Sequence, residues 1–460
     1  MSQPNETQAS IEAPYPSNFY AWYCVIVLLG IYLNSFLDRQ ILGLIVGPMK
    51  STMELSDSEV GFLMGPSFAI FYTIAGLPLG WLADRVSRRW LIAVGQLFWS
   101  LASVGFGLSR SYTQMIGARI GVGVGEASLS PSAYSFIADT FPPNRLARAM
   151  SVYSMGIYVG GGLANLVGGQ LTGYLAPDEL HTMPIVGERF GWQIIFFAIA
   201  TPTIPLTLLL LTLREPTRRG LAVVRDAAGK VQAVKVPIRD FLTYAKENRR
   251  TILTHGFGFS FLSFSGYGAA AWMPAYFMRI HGWTPKEAGT YLGLAGMLVG
   301  PLGLISAGWF ADRLNAKGYR DSKMRVGVMC ATAWFPFGIL MPLMPTAELS
   351  FAMLIPATFF AAMPWGIAPA AIQEIMPNQM RGQASAVYLF IINLVGLGLG
   401  PQVLALVTDY VFADENQVHL SLLWTTTLAH VFAAALLLYG LSAFRKSRDY
   451  CDAWLEKNSR

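Results

Sequence analysis

About twelve long apolar blocks divide this chain of 460 residues, of which 53% are hydrophobic and only 13% charged. Each block holds twenty or more residues, enough for an α-helix to cross a hydrocarbon core about 30 Å thick. Lipid offers no hydrogen-bond partners, so a crossing segment must pair its own backbone groups, as a helix does. The sequence therefore predicts an all-α membrane protein with twelve transmembrane helices. We number them helix 1 to helix 12, near residues 20–47, 58–83, 90–110, 113–139, 147–174, 190–213, 250–280, 286–313, 323–343, 349–376, 381–409 and 418–444.

The basic residues indicate how the chain lies in the membrane. If residue 1 is cytoplasmic, the cytoplasmic segments carry 26 of the 33 Lys and Arg residues and the opposite loops carry 5. The other two, Arg39 and Arg119, lie within helices. This asymmetry follows the positive-inside rule and predicts that both termini are cytoplasmic. The net charge of +6 therefore reports topology, and we expect no nucleic-acid partner.

Two landmarks recur along the chain and indicate a duplication. Residues 80–85 (Gly-Trp-Leu-Ala-Asp-Arg) return 228 residues later at 308–313 (Gly-Trp-Phe-Ala-Asp-Arg). The spacing Pro142, Ala149, Val152-Tyr153 returns 235 residues later at 377–388. Parallel repeats of six helices are known among transporters. We predict two pseudo-symmetric six-helix bundles at 20–213 and 250–444, a cytoplasmic linker at 214–249, and cytoplasmic tails at 1–19 and 445–460.

The predicted linker has two weak patterns of its own. Residues 221–236 alternate apolar and polar around Asp-Ala-Ala-Gly at 226–229, which favours a small hairpin. Residues 239–250 have the pattern of a short amphipathic helix on the membrane surface. A plain linker is the alternative for both.

Four charged side chains fall inside predicted helices: Asp38 and Arg39 on helix 1, and Arg119 and Glu126 on helix 4. A charge at bilayer depth costs several kcal/mol unless it faces water or a partner, so it indicates function. Arg119 and Glu126 are seven residues apart, which places them on one helix face about 10 Å apart, with Gly123 leaving a groove between them. Counted from the outer helix ends, Asp38 lies between them in depth. The alternative is a structural ion pair that locks two helices together.

The doubled Gly-x-x-x-Asp-Arg pattern, with the twelve helices and the duplication, resembles the signature of the major facilitator superfamily over essentially the whole chain. Within it, Asp38-Arg39 with Arg119 and Gly125-Glu126-Ala127-Ser128 looks like the spinster group. Members of that group export sphingosine phosphate or lysophospholipids. The resemblance implies a proton-coupled lipid transporter working by alternating access, a multi-pass monomer in the inner membrane of a bacterium. Anion:cation symporters of organic acids share the charge pattern, so a proton-coupled symporter of hexuronates or other carboxylates is the alternative.

The charges suggest how protons and substrate are linked. We predict that Asp38 and Glu126 carry the protons and are alternative partners of Arg39 and Arg119. A carboxylate that loses its cationic partner in a low dielectric takes up a proton, whereas arginine stays charged. The freed guanidinium then holds a phosphate or carboxylate headgroup, which suits its planar fork.

The second bundle has few ionisable residues and many aromatic ones, which favours an amphiphilic cargo. We expect the cavity to be lined by Asn34, Gly123, Ser128, Phe257, Phe261, Phe264, Tyr267, Trp365 and Asn393. The alternative is that the aromatic rings face lipid or a neighbouring helix.

Charged residues at the inner helix ends predict a cytoplasmic gate. Asp84 is expected to face the start of helix 11, Arg88 to pair with Asp139, and Asp312 to approach Arg148 on helix 5. The whole predicted gate comprises Asp84, Arg85, Arg88, Asp139, Arg148, Asp312, Arg313, Glu374 and Arg381. The alternative is that the basic residues only fix the topology.

Other protein classes lack support. The chain has no His-Glu-x-x-His or Gly-x-Ser-x-Gly motif, its five histidines are scattered, and its three cysteines have no metal or redox spacing. We therefore expect a transporter and not an enzyme, with no cofactor and no metal. Its expected partners are a small amphiphile, protons and membrane lipids.

Overall fold

The computed structural model describes residues 14–218, 223–225, 231–233 and 238–458, and the part described is largely helical. Within it, nine helical segments are long and apolar enough to cross a membrane. These are helices 1, 2, 3, 6 and 8 to 12, with the bounds Asn18–Leu44, Asp57–Ala83, Arg88–Leu108, Gly191–Leu211, Pro285–Ala316, Ser322–Leu343, Ala347–Glu374, Arg381–Phe412 and Glu415–Lys457.

The three remaining crossings are interrupted or more polar. Helix 4 consists of Tyr112–Glu126 and Leu129–Thr140, and helix 5 of Pro143–Ser154 and Gly156–Leu175. Helix 7 runs unbroken over Arg249–His281 and is rich in Ser, Gly and Thr. They complete the predicted twelve helices in two bundles. We call helices 1 to 6 the first bundle and helices 7 to 12 the second bundle.

Several crossings change their winding where the sequence forces it. Helix 2 divides into Asp57–Met64 and Pro66–Ala83, and helix 6 into Gly191–Ala200 and Thr203–Leu211. Proline begins one segment and precedes the other, since its ring ends an i to i−4 ladder. Helix 11 alternates α-helix at Arg381–Ile392 and Gly400–Leu406 with π-helix at Asn393–Leu399 and Val407–Phe412.

Shorter elements lie outside the crossings. A helix at Val46–Met53 follows helix 1, and single 3-10 turns occupy Asn378–Met380 and Glu415–Gln417. The last helical segment continues to Asn458. Strands β1 (Leu180–Met183) and β2 (Gly187–Phe190) pair antiparallel between helices 5 and 6, in a loop for which the sequence predicted no structure.

The linker contains both elements that its pattern favoured. Strands β3 (Val223–Arg225) and β4 (Val231–Ala233) pair antiparallel, while the predicted turn at 226–229 lies outside the described residues. A helix at Ile238–Glu247 ends three residues earlier than predicted, just before helix 7 begins. It buries Phe241 and Tyr244, and the Tyr244 hydroxyl donates to the Ile375 carbonyl at 2.7 Å. This helix is therefore fastened to the second bundle.

Glycines bring the two bundles into contact along helices 5 and 8. A Cβ atom on Gly293 would lie 2.6 Å from the Gly162 carbonyl oxygen, and one on Gly289 would lie 2.4 Å from the Asn165 carbonyl oxygen. In lipid, such small residues let helix backbones approach closely. We call the side where helix 1 begins and helix 12 ends the terminal face, and the other side the opposite face.

Candidate functional site: a buried charge cluster beside a central cavity

The structure brings the four predicted intramembrane charges together. Arg39 and Glu126 form an ion pair in which Arg39 Nε donates to Glu126 Oε2 at 2.8 Å. The guanidinium also lies 5.3, 4.8 and 5.1 Å from the ring centres of Phe36, Phe68 and Tyr72. An aromatic face stabilises a cation, so Arg39 is held by one carboxylate and three rings.

Asp38 and Arg119 lie in the same cluster without a mutual side-chain ion pair. The Ser103 hydroxyl of helix 3 donates to the Asp38 carboxylate. Arg119 instead donates from Nε to the Leu63 carbonyl at 2.9 Å and from Nη1 to the Asp38 carbonyl at 3.2 Å. Leu63 lies just before the break in helix 2, where terminal carbonyls need outside donors. The predicted partnership of Arg119 with a carboxylate is therefore absent from this conformation.

Exposure separates Arg39 from the other three charges. Asp38, Arg119 and Glu126 are at most 2% exposed, whereas the Arg39 side chain is 14% exposed. Glu126 Oε1 has no hydrogen-bond partner among the described residues. Of the four, Arg39 is thus the side chain that connects the cluster to open space.

A cavity of about 220 Å³ lies between the two bundles. Its polar lining comes from Gln40 on helix 1, Tyr158 and Asn165 on helix 5, Tyr267 on helix 7, Thr358 on helix 10 and Thr426 on helix 12. The rest of its lining is mainly apolar, and none of the residues around it is charged. Phe36 and Gln40 both line the cavity and flank Arg39 along helix 1, so the charge cluster borders it.

Two of the predicted lining residues lie around this cavity and the others do not. Tyr267 and Trp365 line the cavity and meet edge to face at 5.5 Å. The predicted residues that do not line it are Asn34, Gly123, Ser128, Phe257, Phe261, Phe264 and Asn393.

Three of these residues in the first bundle serve helix packing. The Asn34 amide donates to Thr203 Oγ1 of helix 6 at 3.3 Å. Gly123 lies so close to helix 2 that a Cβ atom would come 2.6 Å from the Phe68 carbonyl. The Ser128 hydroxyl donates to the Gly125 carbonyl of its own helix at 2.8 Å. The Asn34 bond and the close approach of Gly123 join neighbouring helices, while Asn34 Oδ1 has no hydrogen-bond partner among the described residues.

The residues misplaced in the second bundle lie on another face of helix 7 or in the π-helix of helix 11. Phe261 stacks on Phe432 of helix 12, with ring centres 5.5 Å apart, and Phe257 is exposed on the outside. Phe264 follows on that same face at helical spacing. Asn393 begins the first π-helical segment and is half-buried. The positions of the aromatic residues agree with the alternative given above, that such rings face lipid or a neighbouring helix.

Sequence reasoning missed part of the polar lining. Tyr158 and Asn165 are seven residues apart on helix 5, which is the spacing that placed Arg119 and Glu126 on one face. Gln40 directly follows Arg39. Polar residues at such positions within apolar blocks were the signal that could have found them.

On the terminal face, ion pairs join residues of the same bundle. Arg88 pairs with Asp139, as predicted, and its Nε also donates to Glu215 at 2.7 Å. Burial alone would raise the pKa of the Glu215 carboxyl, but hydrogen bonds from Arg88, from the Arg89 backbone and from Ser87 bring that pKa below its ordinary value. In the second bundle, Glu374 pairs with Lys323.

Most of the predicted gate does not join the bundles here. Asp84 and Asp312 are exposed, and neither carboxylate has a hydrogen bond or ion pair to any described residue. The predicted contacts with helices 11 and 5 are therefore absent. Arg85 lies over Trp81 and Arg313 over Trp309, each within its own helix or turn. Arg381 donates to the Gln373 carbonyl at 3.2 Å, and Arg148 is exposed. The predicted gate lies on the terminal face, whereas the charged contacts between the bundles lie on the opposite face in this structure.

On the opposite face, charged groups tie the first bundle to the second. Asp57, fully buried at the start of helix 2, accepts two hydrogen bonds from the Arg279 guanidinium of helix 7, at 2.6 and 2.7 Å. Lys50 contacts Asp57 at 2.8 Å and Glu415 of the second bundle at 2.5 Å. Asp409 accepts from the Ser58 backbone N–H at 2.6 Å. We call Lys50, Asp57, Arg279, Asp409 and Glu415 the opposite-face tie, which the sequence analysis did not foresee.

Comparison with known proteins identifies the family. The family model described as Major Facilitator Superfamily matches residues 28–401. The chain belongs to the Major Facilitator Superfamily. Its relatives there are transporters and not enzymes, and it is an integral, multi-pass membrane protein that handles a small-molecule substrate.

Individual members of the superfamily resemble the whole chain. An MFS-type efflux pump of Mycolicibacterium smegmatis (strain ATCC 700084 / mc(2)155) is 28% identical over 442 residues, covering 93% of this chain and 94% of the pump. The hexuronate transporter of Bacillus subtilis (strain 168) is 22% identical over 383 residues, covering 82% of this chain and 85% of that protein. A crystal structure of a bacterial homolog to human lysosomal transporter, Spinster, inward-facing and unoccupied, has a TM-score of 0.75 and 26% identity, covering 94% of this chain and 99% of the homolog. The predicted resemblance to bacterial spinster-type transporters is confirmed.

Proposed function

We propose that this transporter couples proton movement to the passage of an amphiphilic anion, a lysophospholipid or sphingosine-phosphate-like molecule, by alternating access. It acts in the inner membrane of a bacterium with both termini cytoplasmic, so that the terminal face is the cytoplasmic one. The observation that carries the proposal is the Arg39–Glu126 ion pair at the edge of an otherwise uncharged cavity.

Protons enter this scheme through the carboxylates. Glu126 is almost fully buried and depends on Arg39 for its balancing charge, with Oε1 lacking a hydrogen-bond partner among the described residues. When an anionic headgroup takes Arg39, Glu126 is left in a low dielectric and binds a proton. Asp38, held by Ser103 and close to Arg119, is the second proton-linked carboxylate. Headgroup and proton thus compete for the same guanidinium.

The cavity chemistry supports an amphiphile as the substrate. Arg39 can hold a phosphate through a planar, charge-assisted contact. Around the cavity beyond it lie aromatic and aliphatic residues such as Tyr267, Trp365 and Met341, which suit an apolar chain. A small dianion would be left with one end among groups that cannot balance its charge.

Alternating access follows from where the bundles touch. The opposite-face tie holds them together on one side, while the ion pairs of the terminal face stay within each bundle. Because the terminal face is the cytoplasmic one in this proposal, we infer that this arrangement is the inward-facing state. Residues 20–213 and 250–444 then move as two bodies joined by the linker at 214–249, and Asp84 and Asp312 form their gate contacts when the terminal face closes.

A second candidate is a proton-coupled symporter of small organic anions. The similarity to a hexuronate transporter favours it, as does Arg39, a carboxylate-binding group beside the cavity. It needs only one strong anion site, which Arg39 supplies.

Ligand-induced thermal shift separates the two candidates. The purified transporter is screened against lysophospholipids, sphingosine phosphate and hexuronates, each at low and neutral pH, alongside the Arg39→Gln variant. We expect stabilisation by the lipids, lost in Arg39→Gln and kept in Arg320→Gln. Arg320 is a matched control because it forms exposed ion pairs with Asp449 and Asp452 and does not line the cavity. Stabilisation by hexuronates alone would replace the first candidate by the second.

A further inference from the structure

His430 on helix 12 is a buried polar group that the proposed proton pathway does not use. It is 1% exposed, and neither ring nitrogen has a hydrogen-bond partner among the described residues. Its ring lies 4.5 Å from the ring centre of Trp334 on helix 9. Buried polar side chains without any partner are rare in native proteins, so this one calls for a ligand or another cause.

The central cavity comes close to this ring, although His430 itself does not line it. Trp334, Gly338 and Thr426 all line the cavity, and all three adjoin His430. Gly338 has no side chain to block the ring: a Cβ atom there would lie 3.5 Å from His430 Cε1 and 3.7 Å from Nδ1. A group that enters the cavity in front of Gly338 is therefore within reach of the imidazole.

Thr426 adds a second polar atom to the same place. It precedes His430 by four residues, so both side chains lie on one face of helix 12. Its hydroxyl donates to the Leu422 carbonyl at 2.7 Å, which leaves the oxygen free to accept. A Cβ atom on Gly338 would be 3.7 Å from this oxygen as well.

We propose that His430, with Thr426, forms a binding site for an uncharged hydroxyl group of the substrate, at the end of the cavity remote from Arg39. The proposal rests on the proposed function, because it takes the cavity between the bundles as the transport site. Phe36 and Gln40 line the cavity from helix 1 of the first bundle, and Gly338 lines it from helix 9 of the second bundle. A substrate anchored by its headgroup at the first bundle thus presents its chain to His430.

A hydroxyl group is the chemical class that fits. A neutral imidazole offers one donor and one acceptor, and a hydroxyl group both donates and accepts. Among the described residues no ion pair involves His430, and no charged residue lines the cavity. A carboxylate or ammonium group here would have no counter-charge. A hydroxyl group can accept from the imidazole N–H while it donates to Thr426 Oγ1, whereas an ether or ester oxygen can only accept.

The test compares two small probes that differ in one hydrogen-bond donor, 1-decanol and decyl methyl ether. Their binding to the full-length transporter in lipid nanodiscs is measured by calorimetry, with empty nanodiscs subtracted. Nitrogen-15 labelling of the five histidines locates the bound probe, since the signals absent from His430→Phe belong to His430.

We expect the wild-type protein to bind decanol about fivefold more tightly than the ether, the size of one net hydrogen bond. Decanol should also shift both His430 nitrogen signals. His430→Phe should bind both probes equally, and His430→Asn, which keeps a donor and an acceptor, should retain part of the preference. Equal affinities in the wild type, a preference that survives in His430→Phe, or unchanged His430 signals would each overturn the site.

This outcome is independent of the lipid screen. Neither probe carries a phosphate or carboxylate headgroup, so neither needs contact with Arg39. A transporter that ignores every lysolipid but prefers decanol through His430 would refute the lipid substrate and keep the hydroxyl site. Lipid stabilisation that depends on Arg39, without the decanol preference, would support the lipid substrate and refute the hydroxyl site.

Discussion

Replacing Asp57 by Asn should release the bundles on the opposite face. In the structure this fully buried carboxylate accepts both Arg279 donors, at 2.6 and 2.7 Å, and contacts Lys50 at 2.8 Å. Asparagine keeps the shape but removes the charge, so Arg279 loses its main partner and Lys50 loses one of its two carboxylates. Arg279 belongs to the second bundle, and the loss therefore falls on the contact between bundles.

The size of the effect follows from the burial of the pair. Truncating one partner of a buried, hydrogen-bonded charge pair costs about 2–5 kcal/mol. Arg279 keeps a contact with Glu415 at 3.6 Å, so we take about 3 kcal/mol from within that range. Since about 1.4 kcal/mol is a factor of ten, the ratio of closed to open states on this face falls by about a hundredfold. A ratio near 99 to 1 would become nearly even.

Spin-label distances between Arg110 and Glu348 measure this ratio, because both residues are exposed on the opposite face, one in each bundle. The native cysteines Cys24, Cys330 and Cys451 are buried and are replaced beforehand. Asp449→Asn serves as the matched control, since Asp449 pairs with Arg320 at an exposed site within the second bundle. A longer distance should appear in Asp57→Asn only. An unchanged distance distribution in a folded Asp57→Asn protein would refute the tie as the element that holds this face closed.

Three further predictions concern the terminal face and the bundle contact. Arg88→Met should lower the free energy of unfolding in detergent by about 3–5 kcal/mol, because two carboxylates lose a fully buried partner. Glu215→Gln changes a half-exposed position and should cost about 1 kcal/mol or less. Equal losses of unfolding free energy in the two variants would contradict this ranking. Asp84→Asn should favour the inward-facing state by about 1–3 kcal/mol in distance measurements on the terminal face, a typical coupling size; an unchanged balance of states would remove Asp84 from the gate. Gly293→Ala should lower the melting temperature, since its Cβ would come 2.6 Å from a helix 5 carbonyl, while Gly308→Ala, with no atom within 4 Å, should not; a similar drop in both would point to glycine flexibility as the cause.

The intramembrane charges were recognisable from the sequence because burial makes such residues costly. A charged residue in an apolar block must find partners, so Asp38, Arg39, Arg119 and Glu126 had to be near one another or near water. The exact pairs were not predictable. Arg119 donates to the Leu63 carbonyl, which is available because helix 2 breaks before Pro66, and the pattern of apolar residues does not report such a break.

The cavity wall was harder to predict because large apolar and aromatic side chains lie on several faces of helix 7, among its Ser, Gly and Thr residues. Phe257, Phe261 and Phe264 share one face at helical spacing, and that face turns to helix 12. Tyr267 lies on the neighbouring face and lines the cavity. With apolar residues on several faces, periodicity cannot say which face meets the other bundle.

The opposite-face tie depends on pairs that are far apart along the chain. Asp57 and Arg279 are separated by 222 residues, and each lies at a helix end, where a charge also serves to mark the membrane boundary. In addition, whether the residues of a gate are in contact depends on the conformation of the transporter. Asp84 and Asp312 lie on the same face as the chain termini, as the sequence predicted, and their proposed gate contacts are absent from this conformation.

Proton movement driven by substrate tests the central claim most directly. Proteoliposomes with a pH-sensitive dye inside are mixed with a stabilising lipid, and the wild type is compared with Glu126→Gln at matched protein content. We predict substrate-dependent proton movement in the wild type and none in Glu126→Gln, although the variant still folds and binds the lipid, because glutamine keeps the shape but takes up no proton. Full proton-coupled flux in Glu126→Gln would contradict the role given to the Arg39–Glu126 pair.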